Sequence, residues 1–249
     1  MARVDYSGRM ATVYDAGRRL STDAVATWMA AAARHVGSPQ GPILDLGSGT
    51  GRFSAALAAR FGVPVVAAEP AEGMREQAAG RRGPQVSLVA ARAEALPFRG
   101  ASFAVVWASQ IIHHVEDLLG CAEDLRRVLR PGGTLLLRGV FAATAEGIPW
   151  ARYFPAAVRT VTSVYPTLER ITDVFAASGL RRQDHEVVVQ IVAASLGELY
   201  ERVRLRADST LEMLPDDEFA LGLARMAAEA RTETSPTPVA EPVELVVFR

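Results

Sequence analysis

The sequence predicts an α/β fold, a mainly parallel β-sheet covered by helices on both faces, and three observations support this prediction. Short apolar runs alternate with amphipathic segments of helical spacing from residue 43 onward. This order places parallel strands side by side with helices packed across them. Residues 103–108 are almost continuously apolar, as a strand buried on both faces should be. The 249 residues suffice for one domain of this kind with local elaborations.

A regular alternation of strands and helices is predicted between residues 43 and 140. The strands are predicted at 43–46, 63–68, 86–90, 103–108 and 134–140, and the helices at 52–61, 72–79 and 116–129. Gly62 is expected to end the first of these helices, and a Pro-Gly-Gly turn at 131–133 precedes the fifth strand. In an open α/β sheet, ligands bind at the carboxyl ends of such strands.

The pattern changes beyond residue 140. Residues 141–165 are predicted to be irregular, and they are followed by a helix at 167–178, a strand at 186–193, helical segments at 196–207 and 215–230, and a last strand at 243–248. The last two strands are expected to pair antiparallel with each other or with the sheet edge. The helices between them, at about 195–231, would then form an insertion beside the ligand cleft. Cap helices are also predicted in residues 1–38, and together with this insertion they would cover a cofactor-binding core at 40–140. All of these parts belong to a single predicted domain of residues 1–249, whose C-terminal half is 141–249.

The composition excludes several functional classes. The formal net charge is −1 and the basic residues are dispersed, so we expect neither nucleic acid nor a membrane surface as a partner. The single cysteine, Cys121, rules out an intramolecular disulfide and a metal site built from several thiolates; we interpret it as a small core residue and expect no metal. No apolar run reaches the about 18 residues of a membrane span, and the N-terminus lacks the basic-then-apolar order of a signal peptide. The expected location is the cytoplasm.

A glycine-rich turn follows the first predicted strand. Gly47, Gly49 and Gly51 lie where this strand meets the next helix, and glycine there permits positive φ and a close approach of a ligand to the backbone. The amides at the start of the helix can donate to an anionic or carbonyl-like group. Glu69 ends the second strand, where a carboxylate can accept both hydroxyl groups of an adenosine ribose. Strand, glycine turn, helix, strand and acid in this order predict a cofactor that contains a nucleoside.

Two cofactor classes fit this layout, and the structural alternative is a tight turn beside a surface glutamate. Dinucleotide enzymes usually have the spacing G-x-G-x-x-G, whereas the spacing here is G-x-G-x-G. The observed spacing favours a nucleoside with a small polar tail over a dinucleotide. A nicotinamide-dependent dehydrogenase is therefore the least favoured enzyme class.

Four segments together resemble the motifs of class I S-adenosylmethionine-dependent methyltransferases. The first is 43–51, Ile-Leu-Asp-Leu-Gly-Ser-Gly-Thr-Gly, and the second is 66–74, Val-Ala-Ala-Glu-Pro-Ala-Glu-Gly-Met. The others are 91–98, Ala-Arg-Ala-Glu-Ala-Leu-Pro-Phe, and 103–133, which contains His-His-Val-Glu-Asp and Leu-Arg-Pro-Gly-Gly. As a set they are similar to the small-molecule branch related to ubiquinone biosynthesis (type 11). The resemblance implies a Rossmann-like seven-stranded sheet, S-adenosyl-L-methionine as cofactor and a small-molecule acceptor.

The resemblance also implies which positions bind the methionine part, the ribose and the adenine of the cofactor. These residues are Asp45, Gly47, Ser48, Gly49, Gly51, Glu69, Pro70, Met74, Ala93, Glu94, Ser109, Gln110, Tyr14 and Arg18. Tyr14 and Arg18 lie in a stretch similar to Y-D-x-G-R and are expected to close over the cofactor, where Arg18 could meet its carboxylate; the alternative is an exposed helix with packed aromatic residues. The chain departs from the family at Arg92, where an acid usually accepts from the adenine amino group. Because arginine cannot accept a hydrogen bond, either Glu94 or water takes that place.

Two histidines are the candidate catalytic residues. His113 and His114 follow the fourth strand, where groups in this architecture point into the cleft, and histidine can take a proton near neutral pH. We favour His114 as a general base or substrate contact. The alternative is that one of the two packs against the sheet and binds a loop carbonyl.

The leading functional hypothesis is methyl transfer to an oxygen, nitrogen or carbon atom of a small metabolite. One alternative keeps the cofactor for a non-methylating step such as a cyclisation, and another is a cofactor-binding protein without turnover. The content of alanine and arginine is typical of GC-rich bacterial genomes and points to bacterial secondary metabolism. The candidate lining of an apolar acceptor pocket, or otherwise ordinary core, is Trp150, Tyr153, Phe154 and Tyr165.

Overall fold

The structure is a computed structural model that describes residues 5, 6 and 8–249. Within these residues the sheet has seven strands in the order β3-β2-β1-β4-β5-β7-β6. The strands are β1 (Ile43–Leu46), β2 (Val65–Ala68), β3 (Val86–Val89), β4 (Phe103–Ser109), β5 (Leu129–Gly139), β6 (Arg182–Ala193) and β7 (Val239–Phe248). Strands β1 to β5 are parallel, and β7 runs antiparallel between β5 and β6. The predicted seven-stranded α/β fold is confirmed.

Helices cover both faces of this sheet. They are α1 (Arg9–Arg18), α2 (Thr22–Val36), α3 (Ser54–Phe61), α4 (Glu72–Ala79), α5 (Leu118–Val128), α6 (Pro155–Val164), α7 (Leu168–Ala177), α8 (Leu196–Val203), α9 (Ser209–Glu212) and α10 (Asp216–Thr232). Helices α2 and α3 lie on one face, around the buried ring of Trp107. Helices α5 and α7 lie on the other, where Phe175 packs on Phe248 of β7. Among residues 5, 6 and 8–249, no helix combines the length and the apolarity needed to cross a membrane.

The order of the strands determines where a ligand can bind. β2 and β3 lie on one side of β1, whereas β4 and β5 lie on the other. Helices therefore leave β1 and β4 in opposite directions, and a crevice opens between them at the carboxyl ends of the strands. The glycine-rich turn that follows β1 lies at this crevice.

The N-terminal segment differs in part from the prediction. Both N-terminal helices were expected in a cap, but α2 covers the sheet, because Trp28, Ala31 and Ala32 are fully buried against it. The alanines allow a close approach of α2 to the strands. Helix α1 packs instead against α4 and α8, beside the crevice.

The C-terminal half also contains elements beyond the predicted limits. Residues 141–165 are not irregular throughout, because they include α6, which buries Ala157 and Val161. β6 begins at Arg182 because it is the edge strand, whose exposed polar residues do not form an apolar run. β7 begins at Val239 although it contains Pro242, a residue that argues against a strand in the sequence. The helical insertion between β6 and β7 consists of α8, α9 and α10, with α8 ending at Val203.

Gly222 in α10 provides a test of the packing of this insertion. A β-carbon there would lie 2.4 Å from Cε1 of Phe154 and 2.8 Å from the carbonyl oxygen of Tyr153. We expect Gly222→Ala to lower the free energy of unfolding by about 1–3 kcal/mol, since overpacking outweighs the better helix propensity of alanine. Thermal unfolding measures this change. Gly197→Ala in α8 is the matched control, because its β-carbon would meet its nearest neighbour at an ordinary 3.6 Å. Equal stability of the two variants would contradict this description of the insertion.

Candidate functional site

A cleft opens at the carboxyl ends of β1, β4 and β5. Its empty volume is about 960 Å³ with the open mouth included. The walls are the glycine-rich turn, α1, the ends of β4 and β5, and α8. The predicted site residues that line it are Tyr14, Arg18, Asp45, Gly47, Ser48, Gly49, Ser109 and Gln110. Residues far apart in the sequence are thus brought to one crevice.

The glycine-rich turn has a backbone that other residues could not easily adopt. Gly47, Gly49 and Gly51 have φ values of 63°, 56° and 77°. The amides of Gly47 and Ser48 both donate to the carbonyl oxygen of Ala68 at the end of β2, at 2.8 and 3.1 Å. A β-carbon on Gly47 would lie 2.1 Å from Cγ2 of Ile111. The turn is therefore fixed against β2 and leaves its backbone accessible from the cleft.

Glu69 is fastened to the same turn. Its Oε2 accepts from the amide of Gly49 and its Oε1 from the amide of Ala71, both at 2.9 Å. The side chain is buried, and burial raises its pKa while the two amide hydrogen bonds oppose the rise. Each carboxylate oxygen keeps a lone pair for a further donor, such as a ribose hydroxyl.

Asp45 is the second buried acid of the site. It is 2% exposed on β1 and lines the cleft, and its Oδ2 accepts from the Ser54 hydroxyl at 2.6 Å. Burial raises the pKa of Asp45 to about 7, to which the negative charge of Glu69 contributes. The protein therefore keeps a costly carboxylate beside the turn, which is a property of functional sites.

The comparison with protein families decides the identity of this region. The sequence model of a family described as "Methyltransferase domain" matches residues 44–137, the segment from β1 to β5 that builds the cleft. These residues form a methyltransferase domain. The resemblance found in the sequence is confirmed.

Individual proteins that are similar to this chain are also methyltransferases. The chain is 37% identical over 133 residues to a malonyl-[acyl-carrier protein] O-methyltransferase of Methylococcus capsulatus, covering 51% of this chain and 47% of that protein. It is 43% identical over 115 residues to a demethylmenaquinone methyltransferase of Clavibacter sepedonicus, covering 44% and 46%. The crystal structure of a candidate methyltransferase from an antibiotic biosynthesis pathway of Anabaena variabilis shares the fold, with a TM-score of 0.72 at 23% identity over 89% of this chain and 96% of that one. The chain spans about half the length of these curated relatives.

Helix α1, which precedes the methyltransferase domain, is attached across the cleft. The Thr50 hydroxyl of the turn donates to Oδ1 of Asp15 at 2.6 Å. Arg18 Nη1 lies 2.9 Å from Oδ2 of Asp208, at the start of α9. Arg18 is thus engaged by an acid of the helical insertion, although its guanidinium still lines the cleft.

Arg52 is a cleft residue that the sequence analysis did not identify. It follows the glycine-rich turn directly, and its guanidinium lies 5.5 Å from the ring centre of Tyr14. Its Nη2 is buried and, among the residues that the structure describes, has no hydrogen-bond partner. Arg52 is therefore better placed than Arg18 to hold an anionic group beside the turn.

Six predicted cofactor residues lie outside the lining of this cleft. They are Gly51, Glu69, Pro70, Met74, Ala93 and Glu94. Met74 is 2% exposed and packs under α1. Glu94 Oε1 accepts from the amide of Glu116 at 3.1 Å, and Oε2 lies 3.6 Å from Nε of Arg92. Arg92, which stands where the family usually has an acid, thus pairs with Glu94, the residue expected to take over the role of that acid.

The two histidines lie beside the cleft rather than in its lining, in a short turn at Ile112–His114. The His113 ring stacks on Tyr165 with centres 4.2 Å apart, and within the described chain its buried Nδ1 has no hydrogen-bond partner. Burial lowers the pKa of His113 well below its ordinary value, helped by His114 and Arg18. His114 is exposed, and its Nε2 lies 3.1 Å from the Tyr6 hydroxyl. The geometry makes His113 a neutral, stacked ring and leaves His114 closer to solvent.

The four aromatic residues expected around an acceptor do not form one pocket. Trp150 lines the cleft. Phe154 stacks on Phe219 of α10 at 5.6 Å, and the Tyr153 hydroxyl donates to Glu229 at 2.8 Å. Tyr153 and Phe154 therefore belong to the core of the insertion, which is the alternative that the sequence left open.

The inner end of the cleft contains a buried polar network. Arg138, at the end of β5, is 3% exposed; its Nη1 donates to Ser109 at 3.0 Å and its Nη2 to Gln190 at 2.9 Å. Gln190 also accepts from Trp28 Nε1 at 2.7 Å and donates to Glu241 at 2.6 Å. The guanidinium lies 4.3 Å from the Trp28 ring centre. Arg138 is thus held in one orientation by packing and two hydrogen bonds.

Several polar atoms of the cleft are buried without a hydrogen-bond partner in the described chain. They are Ser48 Oγ, Arg52 Nη2, Arg138 Nε and Trp150 Nε1. Buried donors without acceptors are rare in folded proteins and costly. The cleft is therefore prepared for ligands rich in hydrogen-bond acceptors.

Proposed function

We propose that the protein binds S-adenosylmethionine and transfers its methyl group to a small-molecule acceptor. The observation that carries the proposal is the junction of the glycine-rich turn with Glu69. Glycines of positive φ and a buried carboxylate, joined through the amide of Gly49, lie at the switch point of the sheet. The Glu69 carboxylate can accept hydrogen bonds from the ribose hydroxyls, and the glycine backbone allows a close approach of the methionine part of the cofactor.

Residues in and beside the cleft fit each polar part of the cofactor. Glu69 is suited to the ribose hydroxyls, and Asp45 to the ammonium group, because a cation would stabilise its charged form. The unpaired donors of Arg52 and Ser48 suit the carboxylate. Glu94, oriented by Arg92, is suited to accept from the adenine amino group.

The chain's part in the reaction is mainly to align the acceptor. When bound, the cofactor supplies a methyl group activated by a sulfonium, so the protein needs little covalent chemistry of its own. An acceptor that is already anionic needs no base. For a neutral hydroxyl acceptor, His114 is the better base, since burial weakens the basicity of His113. Gln110 and Ser109 line the same cleft.

The acceptor is a small molecule that enters between α1, α8 and the end of β5. The relatives named as methyltransferases of a malonyl-[acyl-carrier protein] and of demethylmenaquinone support methyl transfer, although their substrates differ from each other. The alanine- and arginine-rich composition supports a role in bacterial secondary metabolism.

Calorimetric titration with S-adenosylmethionine, S-adenosylhomocysteine and NAD tests the cofactor. We expect micromolar or tighter binding of the two sulfur compounds and no heat from NAD, because the turn lacks the dinucleotide spacing. Formation of S-adenosylhomocysteine in the presence of a panel of phenols, carboxylic acids and amines then tests methyl transfer. Absence of binding would refute the proposal. Binding with an acceptor consumed but no S-adenosylhomocysteine formed would instead support a non-methylating step such as a cyclisation.

A further inference from the structure

We propose that the acceptor carries a carboxylate and that Arg138 and Trp150 bind this group at the inner end of the cleft. The inference rests on the proposed function, because it assigns the acceptor side of the same cleft. It concerns residues outside the segment from β1 to the glycine-rich turn that holds the cofactor.

The first argument is that both residues present donors without acceptors. Within the described residues, Arg138 Nε and Trp150 Nε1 are buried and make no hydrogen bond, although both side chains line the cleft. Neither nitrogen can accept, so a partner must supply oxygen or another acceptor atom. A carboxylate offers two oxygens, and hydrogen bonds from a guanidinium to a carboxylate are among the strongest in proteins.

The second argument is the charge of the cleft. Arg18 is paired with Asp208 and Arg202 with Glu198, whereas no acid of the described chain lies within ion-pair distance of Arg52 or Arg138. Burial, together with the positive charges of Arg52 and Arg18, lowers the pKa of Arg138 to about 9 against the attraction of Glu241. A bound sulfonium would add one more positive charge. An anionic acceptor offsets this excess where a neutral one would not.

The third argument separates Arg138 from Arg52. Arg52 directly follows the glycine-rich turn and lies over Tyr14 of α1, at the cofactor end. Arg138 is on β5, where Ser109 and Gln190 hold its two terminal nitrogens. Its Nε is consequently the nitrogen left for a ligand, in an orientation that packing on Trp28 keeps fixed. The two arginines therefore serve different ligands.

Ligand-observed NMR with benzoate and benzamide as probes tests this assignment. The two probes have nearly the same shape and differ in charge. Saturating S-adenosylhomocysteine is added first, so that the probes cannot occupy the site of the cofactor carboxylate. We expect the wild type to bind benzoate at least tenfold more tightly than benzamide. Trp150→Phe, which removes the indole N–H group but keeps a smaller aromatic ring, should reduce this ratio at least threefold, and Arg138→Gln should bring it close to one.

Two further variants serve as controls. Arg52→Gln is expected to weaken S-adenosylhomocysteine binding and, once that ligand is saturating, to reduce the benzoate preference much less than Arg138→Gln does, because it removes one charge of the cleft but no donor to the benzoate. Arg231→Gln, at an exposed position of α10, should change neither quantity. If Arg138→Gln fails to fold, Trp150→Phe still decides the matter. Equal binding of the two probes by the wild type, binding of neither, or an unchanged ratio in Trp150→Phe would overturn the inference. Failure of the proposed function itself would appear separately, as loss of S-adenosylhomocysteine binding by the wild type.

Discussion

Replacing Glu69 by alanine is expected to weaken the binding of S-adenosylhomocysteine by about 100- to 1000-fold. The variant lacks the carboxylate that would accept from two ribose hydroxyls, and the loss of a hydrogen bond to a charged group costs about 1.5–3 kcal/mol. The bond from the Gly49 amide to Glu69 would also be lost, so the glycine-rich turn would be less firmly held. Calorimetric titration measures the change in Kd directly.

Two comparisons make the Glu69→Ala result specific. Glu72→Ala removes an exposed acid from the first turn of α4, three positions away, and should alter Kd by less than about twofold. Glu69→Gln keeps the size of the side chain and should bind with intermediate affinity. If Glu69→Ala remains folded and binds as tightly as Glu72→Ala, the carboxylate has no part in the cofactor site.

Replacing Asp45 by asparagine is expected to stabilise the protein at pH 8 and to weaken its cofactor binding at the same time. Burial raises the pKa of Asp45 to about 7 in the folded state, whereas the unfolded chain loses this proton near pH 4. Between these values the folded state holds more protons than the unfolded state, so stability falls as the pH rises and is constant above about 7. Asparagine carries no such charge and can still accept from Ser54.

The gain in Asp45→Asn should therefore depend on pH. Relative to the wild type it should be small near pH 4, grow up to pH 7 and reach about 4 kcal/mol, or roughly 10 °C in Tm, at pH 8. Thermal unfolding from pH 5 to pH 8.5 measures it, with Asp173→Asn at an exposed position of α7 as the control that should stay within about 0.5 kcal/mol of the wild type. Binding of S-adenosylhomocysteine should weaken by about 10- to 100-fold because a charged partner is lost. A variant that is less stable than the wild type at every pH would contradict the assigned burial.

The core of the fold and the glycine-rich turn with its two neighbouring acids were predictable because their signals are local. The glycine-rich turn, Asp45 and Glu69 lie in or directly after β1 and β2, and the predicted helix at 72–79 has the bounds of α4. Positive φ at alternate glycines and an acid at a strand end are properties of short segments. A single sequence therefore contains enough information to place them.

The polar network around Arg138 was not predictable, because its residues are far apart in the sequence. Arg138, Gln190 and Glu241 meet only because β7 inserts between β5 and β6, and the sequence left open whether β7 pairs with β6 or with the sheet edge; it pairs with both neighbours. The one local signal was an arginine within the apolar run of β5. The roles predicted for His113 and His114 stay predictions; the contacts of these rings include those with Tyr165 and Tyr6 and with each other.

The attachment of α1 has a consequence for how ligands enter and leave. Its polar contacts reach Thr50 beside the cofactor and Asp208 beside the acceptor, so the helix acts as a latch common to both ligands. Each such contact contributes about 1 kcal/mol, and the ion pairs of Arg9 with Glu212 and of Arg81 with Asp15 add to the attachment. If α1 moved away from the cleft, the cofactor side and the acceptor side would open together. Both ligands and both products would then exchange through the same opening.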